Sequence, residues 1–79
     1  MKLLSIIVRA TWDEEAGVWV AHSSDIQGLA TEADTLESLK AKVLTMVPEL
    51  IALNGLDTDL SEIPVHIMSE QVAKIALPV

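Results

Sequence analysis

The chain has 79 residues, enough for one domain over residues 1–79 that buries only roughly 60 to 65% of its unfolded surface, so its core is thin. Cysteine is absent, which excludes disulfide frameworks and thiolate metal sites and is compatible with a reducing cytoplasm. Twelve acidic and five basic residues give a net charge of −7, which argues against a nucleic-acid-binding surface and permits a basic protein partner.

Three short strands are predicted in the first half of the chain. From Leu4 the apolar residues occupy alternate positions, which is the period of a strand: Leu4, Ile6, Val8, Ala10 and Trp12. A polar turn over residues 13–17 and the segment VWVAHS complete a hairpin, and the alternation in LATEA, residues 29–33, predicts a third strand. No run is long enough to cross a membrane, and MKLLSIIV leads to Arg9 instead of a small-residue cleavage site, so we interpret it as a strand.

One amphipathic helix follows the third strand. Thr35 is a suitable N-cap because its hydroxyl can accept from the free amides of the first turn, where Glu37 also complements the helix dipole. Pro48 removes one backbone donor and should bend the helix, and Asn54 with Gly55 is typical of a left-handed C-terminal cap. At 100° per residue, one half of the circumference is apolar: Leu36, Leu39, Val43, Leu44, Met46, Val47, Leu50, Ile51 and Leu53.

The fourth strand begins with Ile63, Val65 and Ile67, and the interrupted alternation at MSEQ predicts a bulge or slip there. Two hairpins and a right-handed crossover therefore predict an α+β fold, β-β-β-α-β, with a four-stranded mixed sheet in the order 3-2-1-4 and the helix packed on one face. The other face is uncovered. Because 51% of the residues are apolar, we expect a homo-dimer or larger oligomer in which Ile7 or Trp19 contacts a second copy there; the alternative is that these are scattered exposed apolar residues.

The segment SDIQGLATEADTLESL, together with the hairpin before it, resembles the HicB-like antitoxin family. The family pattern is an aromatic residue on the second strand, a Pro/Ser-Asp-x-x-Gly turn, a short strand, and Asp-Thr-Leu-Glu opening the helix. TWDEEAGVWVA and PELIALNG are similar to the short members of that family. The residues that carry the match are Trp19, Asp25, Gly28, Asp34, Thr35, Leu36 and Glu37.

This resemblance implies a truncated ribonuclease-H-like fold that binds and neutralises a small basic RNA-cleaving toxin, HicA, within a toxin–antitoxin system. HicB proteins typically also carry a C-terminal DNA-binding segment, whereas this chain ends at Val79, so we expect no DNA binding by this chain alone. Gln27 stands where the family often has proline, and Ser38 where a second acidic residue is common. One alternative is a free-standing homo-oligomeric adaptor or ligand-sensing domain with no toxin partner. Another is a degenerate metal-dependent hydrolase, which would have to recruit acids from loops.

The acidic residues outside the helix–sheet core are the expected contacts of a basic partner. They lie in the hairpin turn and around the third strand: Asp13, Glu14, Glu15, Asp25 and Glu32. Asp25 could alternatively bond nearby turn amides, and all five could simply keep a hydrophobic protein in solution.

We expect no enzymatic activity, metal or cofactor. A ribonuclease-H-like nuclease needs carboxylates converging on metal ions, one of them from the middle of the first strand, which has no acid; Glu37 and Glu49 occupy the outer half of the helix. His22 and His66 are on separate strands and are better explained as ordinary strand residues than as metal ligands. The acidic connection over residues 57–62 lacks the spacing of a calcium loop.

Overall fold

A computed structural model of the protein describes residues 2–78. In chain order the elements are strand β1 (Ile6–Asp13), β2 (Val18–His22), β3 (Ala30–Ala33), helix α1 (Leu36–Leu53) and β4 (Val65–Glu70). The sheet order is β3-β2-β1-β4; β1 pairs antiparallel with β2 and parallel with β4, and β2 pairs antiparallel with β3. The predicted α+β topology is confirmed. No helix within residues 2–78 is long and apolar enough to cross a membrane.

The core lies between α1 and one face of the sheet. Along β1, Ile6, Val8 and Ala10 are buried while their neighbours are exposed, as the alternation in the sequence predicts. Ala10 faces Ala21 on β2, and these two small side chains leave room for the helix above the centre of the sheet. The buried residues are Ile6, Val8, Ala10, Ala21, Ile26, Leu29, Ala33, Leu39, Val43 and Val47.

Both ends of α1 are capped as the sequence predicts. The Thr35 hydroxyl accepts a hydrogen bond from the Ser38 amide at 3.1 Å. At the other end Gly55 has a φ of 62°, and the Leu56 amide donates to the Ile51 carbonyl at 3.1 Å, the six-residue closure of a Schellman motif. These caps satisfy main-chain groups at the two ends of the helix.

The buried stripe of α1 is narrower than the predicted apolar half of its circumference. Leu39, Val43 and Val47 are buried, whereas Leu36 and Leu44 are 37% and 45% exposed. The helix packs most closely on β3 and β2, so it covers one side of the sheet and leaves the helix-side surface of β4 partly open.

β4 is regular, which corrects the prediction of a bulge at MSEQ for the part of that segment within β4. Its residues pair one to one with β1, from Val65 opposite Ile6 to Glu70 opposite Thr11. After Glu70 the chain continues without a turn, and every residue of the segment 71–78 is exposed. We call this segment the arm.

Trp19 does not lie on the uncovered face of the sheet, where the sequence analysis placed it with Ile7. It pairs with Trp12 across the hairpin, two residues from the buried pair of Ala10 and Ala21, and therefore points to the helix side. The two indole rings pack tilted at 60° with centroids 5.4 Å apart, and Trp19 contacts the core. A contact between copies through Trp19 stays a prediction, but Trp19 and Ile7 lie on opposite faces of the sheet.

Candidate protein-binding surface

The segment Ser23–Asp25 fixes the exit of β2 by bonding to the main chain of β1. The Ser23 hydroxyl donates to the Ile7 carbonyl and the Asp25 carboxylate accepts from the Ile7 amide, both at 2.7 Å. The Asp25 amide in turn donates to the Ser23 hydroxyl at 3.1 Å. Because β2 leaves the sheet at this point, the two side chains take the place of the ladder bonds that β1 would otherwise lose.

The same turn is also held against the end of the helix. The Asn54 side-chain amide donates to the Gln27 carbonyl at 2.9 Å. Gly28 has a φ of 92°, and a β-carbon at this position would lie 3.2 Å from Leu50 Cδ2. Only glycine meets both conditions without strain. Asp25 and Gly28 of the Ser-Asp-x-x-Gly pattern, together with Ser23 just before it, therefore join β1, the turn and α1, which gives this segment a structural role.

The surface of the sheet opposite α1 is uncovered, and we call it the open face. It mixes apolar, cationic, anionic and imidazole side chains and contains no large uniform apolar patch; Ile7 is 40% and Met68 52% exposed. It consists of Ile7, Arg9, Thr11, Val18, Val20, His22, Ala30, Glu32, His66, Met68 and Glu70.

One end of the sheet collects most of the unpaired negative charge. The β1–β2 turn, the end of β3, the start of α1 and the end of β4 meet there, because β3 and β4 both run toward the hairpin turn. All seven carboxylate residues at this acidic end are exposed: Asp13, Glu14, Glu15, Glu32, Asp34, Glu37 and Glu70.

The carboxylates of the acidic end form no ion pair with the lysine and arginine side chains of residues 2–78. Within residues 2–78 the ion pairs join Lys2 to Asp57 at 3.6 Å and to Asp59 at 2.7 Å, at the opposite end of the molecule. Lys42 approaches the acidic end, but its ammonium donates to the backbone carbonyl of Glu32 at 2.6 Å and forms no ion pair with the carboxylate within 4.0 Å. The result is a compact anionic surface.

The five predicted partner-binding residues fall into two groups. Asp13, Glu14, Glu15 and Glu32 lie together at the acidic end. Asp25 bonds to Ile7 near the start of β1, six residues from Asp13 along the strand, or about 20 Å away. Asp13 also has a local role, because its carboxylate accepts from the Glu15 and Ala16 amides at 3.1 and 3.2 Å and shapes the hairpin turn.

Three further acids at this end, Asp34, Glu37 and Glu70, were not among the predicted contacts. Asp34 and Glu37 are read in the sequence as part of the helix start, and Glu70 lies far from the hairpin turn in sequence. Only the strand order and directions show that they converge. The predicted topology could have revealed this convergence, because it already places the ends of β3 and β4 and the hairpin turn at the same end of the sheet.

The geometry offers little for metal chemistry. Among residues 2–78, no three histidine, aspartate or glutamate side chains are close enough together to hold a metal ion. His22 and His66 both lie on the open face, but β1 separates their strands, and they face Arg9 and Ile7 respectively. The absence of enzymatic activity stays a prediction.

Comparison with known proteins gives a family but no activity. The family model described as "Domain of unknown function (DUF1902)" matches residues 5–78. A hypothetical protein from the extremely thermophilic bacterium Thermus thermophilus, known from a crystal structure, is 51% identical; the match covers 92% of this chain and 99% of that one, with a TM-score of 0.68. No curated protein matches the chain.

Proposed function

Since the chain belongs to the DUF1902 family of unknown function, we propose from its own surface and its HicB-like resemblance that it is a non-enzymatic antitoxin that binds and neutralises a small basic RNA-cleaving toxin of the HicA type in the cytoplasm. The observation that carries this proposal is the acidic end, where seven exposed carboxylates converge without ion-pair partners among residues 2–78.

Charge supports this assignment in two ways. A toxin that cleaves RNA must present a basic surface to the phosphate backbone, and a compact anionic surface competes for that surface. A net charge of −7 also attracts such a partner over a distance, which accelerates encounter more than it sets the final affinity. Binding should therefore weaken as salt is added.

The resemblance provides the second line of support. The fold expected of a HicB-like protein is a β-β-β-α-β unit, and the chain has that element order with the expected sheet order. Fold alone does not define a function, so the proposal depends on the chemistry of the surface.

The test is co-expression with the product of a small basic reading frame adjacent to the gene, followed by purification through a tag on one chain. A stable complex, and relief of the growth inhibition caused by the neighbour, are the expected results. The Glu14→Lys/Glu15→Lys double variant changes the net charge from −7 to −3 at the acidic end and should slow association at least about tenfold at low salt.

The matched control is the Glu49→Lys/Glu62→Lys double variant, which makes the same change in net charge outside the acidic end. Glu49 lies in the last turns of α1, near the opposite end of the sheet, and Glu62 lies in the connection before β4. If the two double variants slow association equally, only net charge matters and the acidic end is not the contact. If no neighbour binds at all, the free-standing homo-oligomeric adaptor becomes the better account.

A further inference from the structure

The arm extends away from the body of the protein and exposes its apolar side chains. Val72, Ile75 and Leu77 are 70%, 82% and 74% exposed. The radius of gyration is 15.2 Å, whereas a globular chain of this length has about 12 Å, and the longest dimension is 57 Å. Residues 71–78 contain no glycine, asparagine or aspartate that would reverse the chain and return the arm to its own sheet.

An apolar groove runs along the helix side of β4, where α1 does not reach. Val65 and Ile67 form its floor, and Leu36 and Leu44 on the helix form its apolar wall. Glu37 and Lys40 line the end of the groove near Ser69. Its two halves have volumes of about 520 and 400 Å³. β4 is also an edge strand, so the main-chain groups along its outer side have no ladder partner among residues 2–78. The groove thus combines apolar side chains with free donors and acceptors.

Main-chain N–H and C=O groups along β4 point alternately toward β1 and away from it, and this alternation determines which residues an added strand would bond. The Ile6 amide donates to the Pro64 carbonyl at 3.0 Å, so the even-numbered residues of β4 direct their main-chain groups toward β1. The odd-numbered residues, Val65, Ile67 and Ser69, direct theirs outward. The side chains of these three residues lie on the helix side, since they pair with Ile6, Val8 and Ala10.

We infer that the arm of one copy pairs antiparallel with the free edge of β4 in a second copy, and that two copies exchange arms around a two-fold axis. Because the arm continues from β4 without a turn, we take its odd residues to direct their main-chain groups outward like those of β4, which sets odd residues of the arm opposite odd residues of β4 in an antiparallel pair. With the axis at Gln71, Leu77 faces Val65, Ile75 faces Ile67, and Ala73 faces Ser69. The apolar side of the arm then fills the groove.

The opposite side of the arm fits the same register. Lys74 faces Met68 on the open face and lies diagonally across from Glu70, where opposite charges attract. The pairing joins two four-stranded sheets into one sheet and removes the free edge of β4 in both copies. This assembly needs no toxin partner. It would bury apolar side chains of the arm between two copies, in place of contacts through Ile7 or Trp19.

Sedimentation of the full-length chain from 1 to 200 μM tests the assembly. We expect a dimer of about 17 kDa, twice the 8.5 kDa of one copy. Ile75→Glu should weaken dimerisation at least tenfold without changing the circular dichroism spectrum, because Ile75 is exposed within its own copy. Leu53→Glu is the matched control, since Leu53 is 81% exposed at the end of α1, away from the groove.

Cross-linking tests the register, because the natural chain contains no cysteine. An equimolar mixture of Ile67→Cys and Ile75→Cys should form a disulfide-linked heterodimer, while each variant alone should not, because like positions are separated by about 27 Å across the axis. Gln71→Cys alone should link to itself. A wild-type chain that sediments only at 8.5 kDa, equal effects of Ile75→Glu and Leu53→Glu, or equal cross-linking of single and mixed variants would each overturn the inference.

Discussion

Replacing Asp25 by alanine should lower the free energy of unfolding, because Asp25 bonds to the main chain of β1. The carboxylate accepts the Ile7 amide at 2.7 Å, at the point where β1 loses its antiparallel neighbour. Removing it leaves that amide to water, while the Asp25 amide can still donate to the Ser23 hydroxyl in the turn.

The magnitude follows from the type of bond. A hydrogen bond to a charged group contributes about 1.5 to 3 kcal/mol, and the low end applies here because Asp25 is exposed and water can replace part of the interaction. We therefore expect a loss of about 1.5 kcal/mol for Asp25→Ala. Ser23→Ala should cost about 1 kcal/mol, since it removes a neutral bond to the Ile7 carbonyl. The two effects should not add, because both side chains hold the same turn.

Urea unfolding followed by circular dichroism measures these losses, at one fixed protein concentration because self-association also changes apparent stability. In thermal unfolding of a domain of this size, a loss of about 1.5 kcal/mol corresponds to a decrease in melting temperature of roughly 6 to 12 °C. Ser24→Ala is the control, because this exposed neighbour makes none of the bonds to Ile7. A loss below about 0.5 kcal/mol for Asp25→Ala, or an equal loss for Ser24→Ala, would show that the corner does not stabilise the sheet.

Gly28→Ala should lower the free energy of unfolding by about 2 kcal/mol, because φ is 92° and the new methyl group would lie 3.2 Å from Leu50. Gly17→Ala should lower it by only about 1 kcal/mol, because φ is 67° and the space around Gly17 is open. Equal losses in urea unfolding would contradict the close contact at Gly28. Leu39→Ala should cost about 3 kcal/mol, since this side chain is fully buried between α1 and the sheet, and a loss below about 1 kcal/mol would refute that packing. Magnesium- or manganese-dependent RNA cleavage should be absent from the purified chain, because the middle of β1 has no acid; cleavage abolished by Glu37→Ala would reject a purely binding role.

Much of the fold is predictable because its signals are local. The alternation of Ile6, Val8 and Ala10 defines the buried face of β1, and Thr35 and Gly55 mark the ends of the helix. Each of these signals acts within a few residues, through the pleat of a strand or the unsatisfied groups of a helix end. The strand order then follows from short connections and the handedness of the crossover.

The errors occurred where the outcome depends on distant residues. The sequence predicts Trp19 on the uncovered face, because alternation in a short apolar strand does not say which set of side chains points to the core. The pairing of Trp19 with Trp12 places it on the helix side. The interruption at MSEQ is not a bulge within β4, because the one-to-one pairing with β1 continues to Glu70. The apolar residues beyond it belong to an arm that leaves the sheet.

The candidate site shows the same division. Net charge and the positions of Asp13, Glu14 and Glu15 are properties of the sequence, and they predict an acidic turn whatever the fold. That Glu32 and Glu70 join them, while Asp25 lies about 20 Å away and bonds to β1, depends on which strand ends meet.

Propensity, periodicity and composition were enough to specify the elements, their order and the excess of negative charge, since none of these properties requires knowledge of distant contacts. The packing of the elements was needed to show that the helix covers β2 and β3 but not β4, because the width of a four-stranded sheet exceeds that of one helix. For the same reason an apolar groove stays open beside an edge strand, and this groove is where we infer that the arm of a second copy binds.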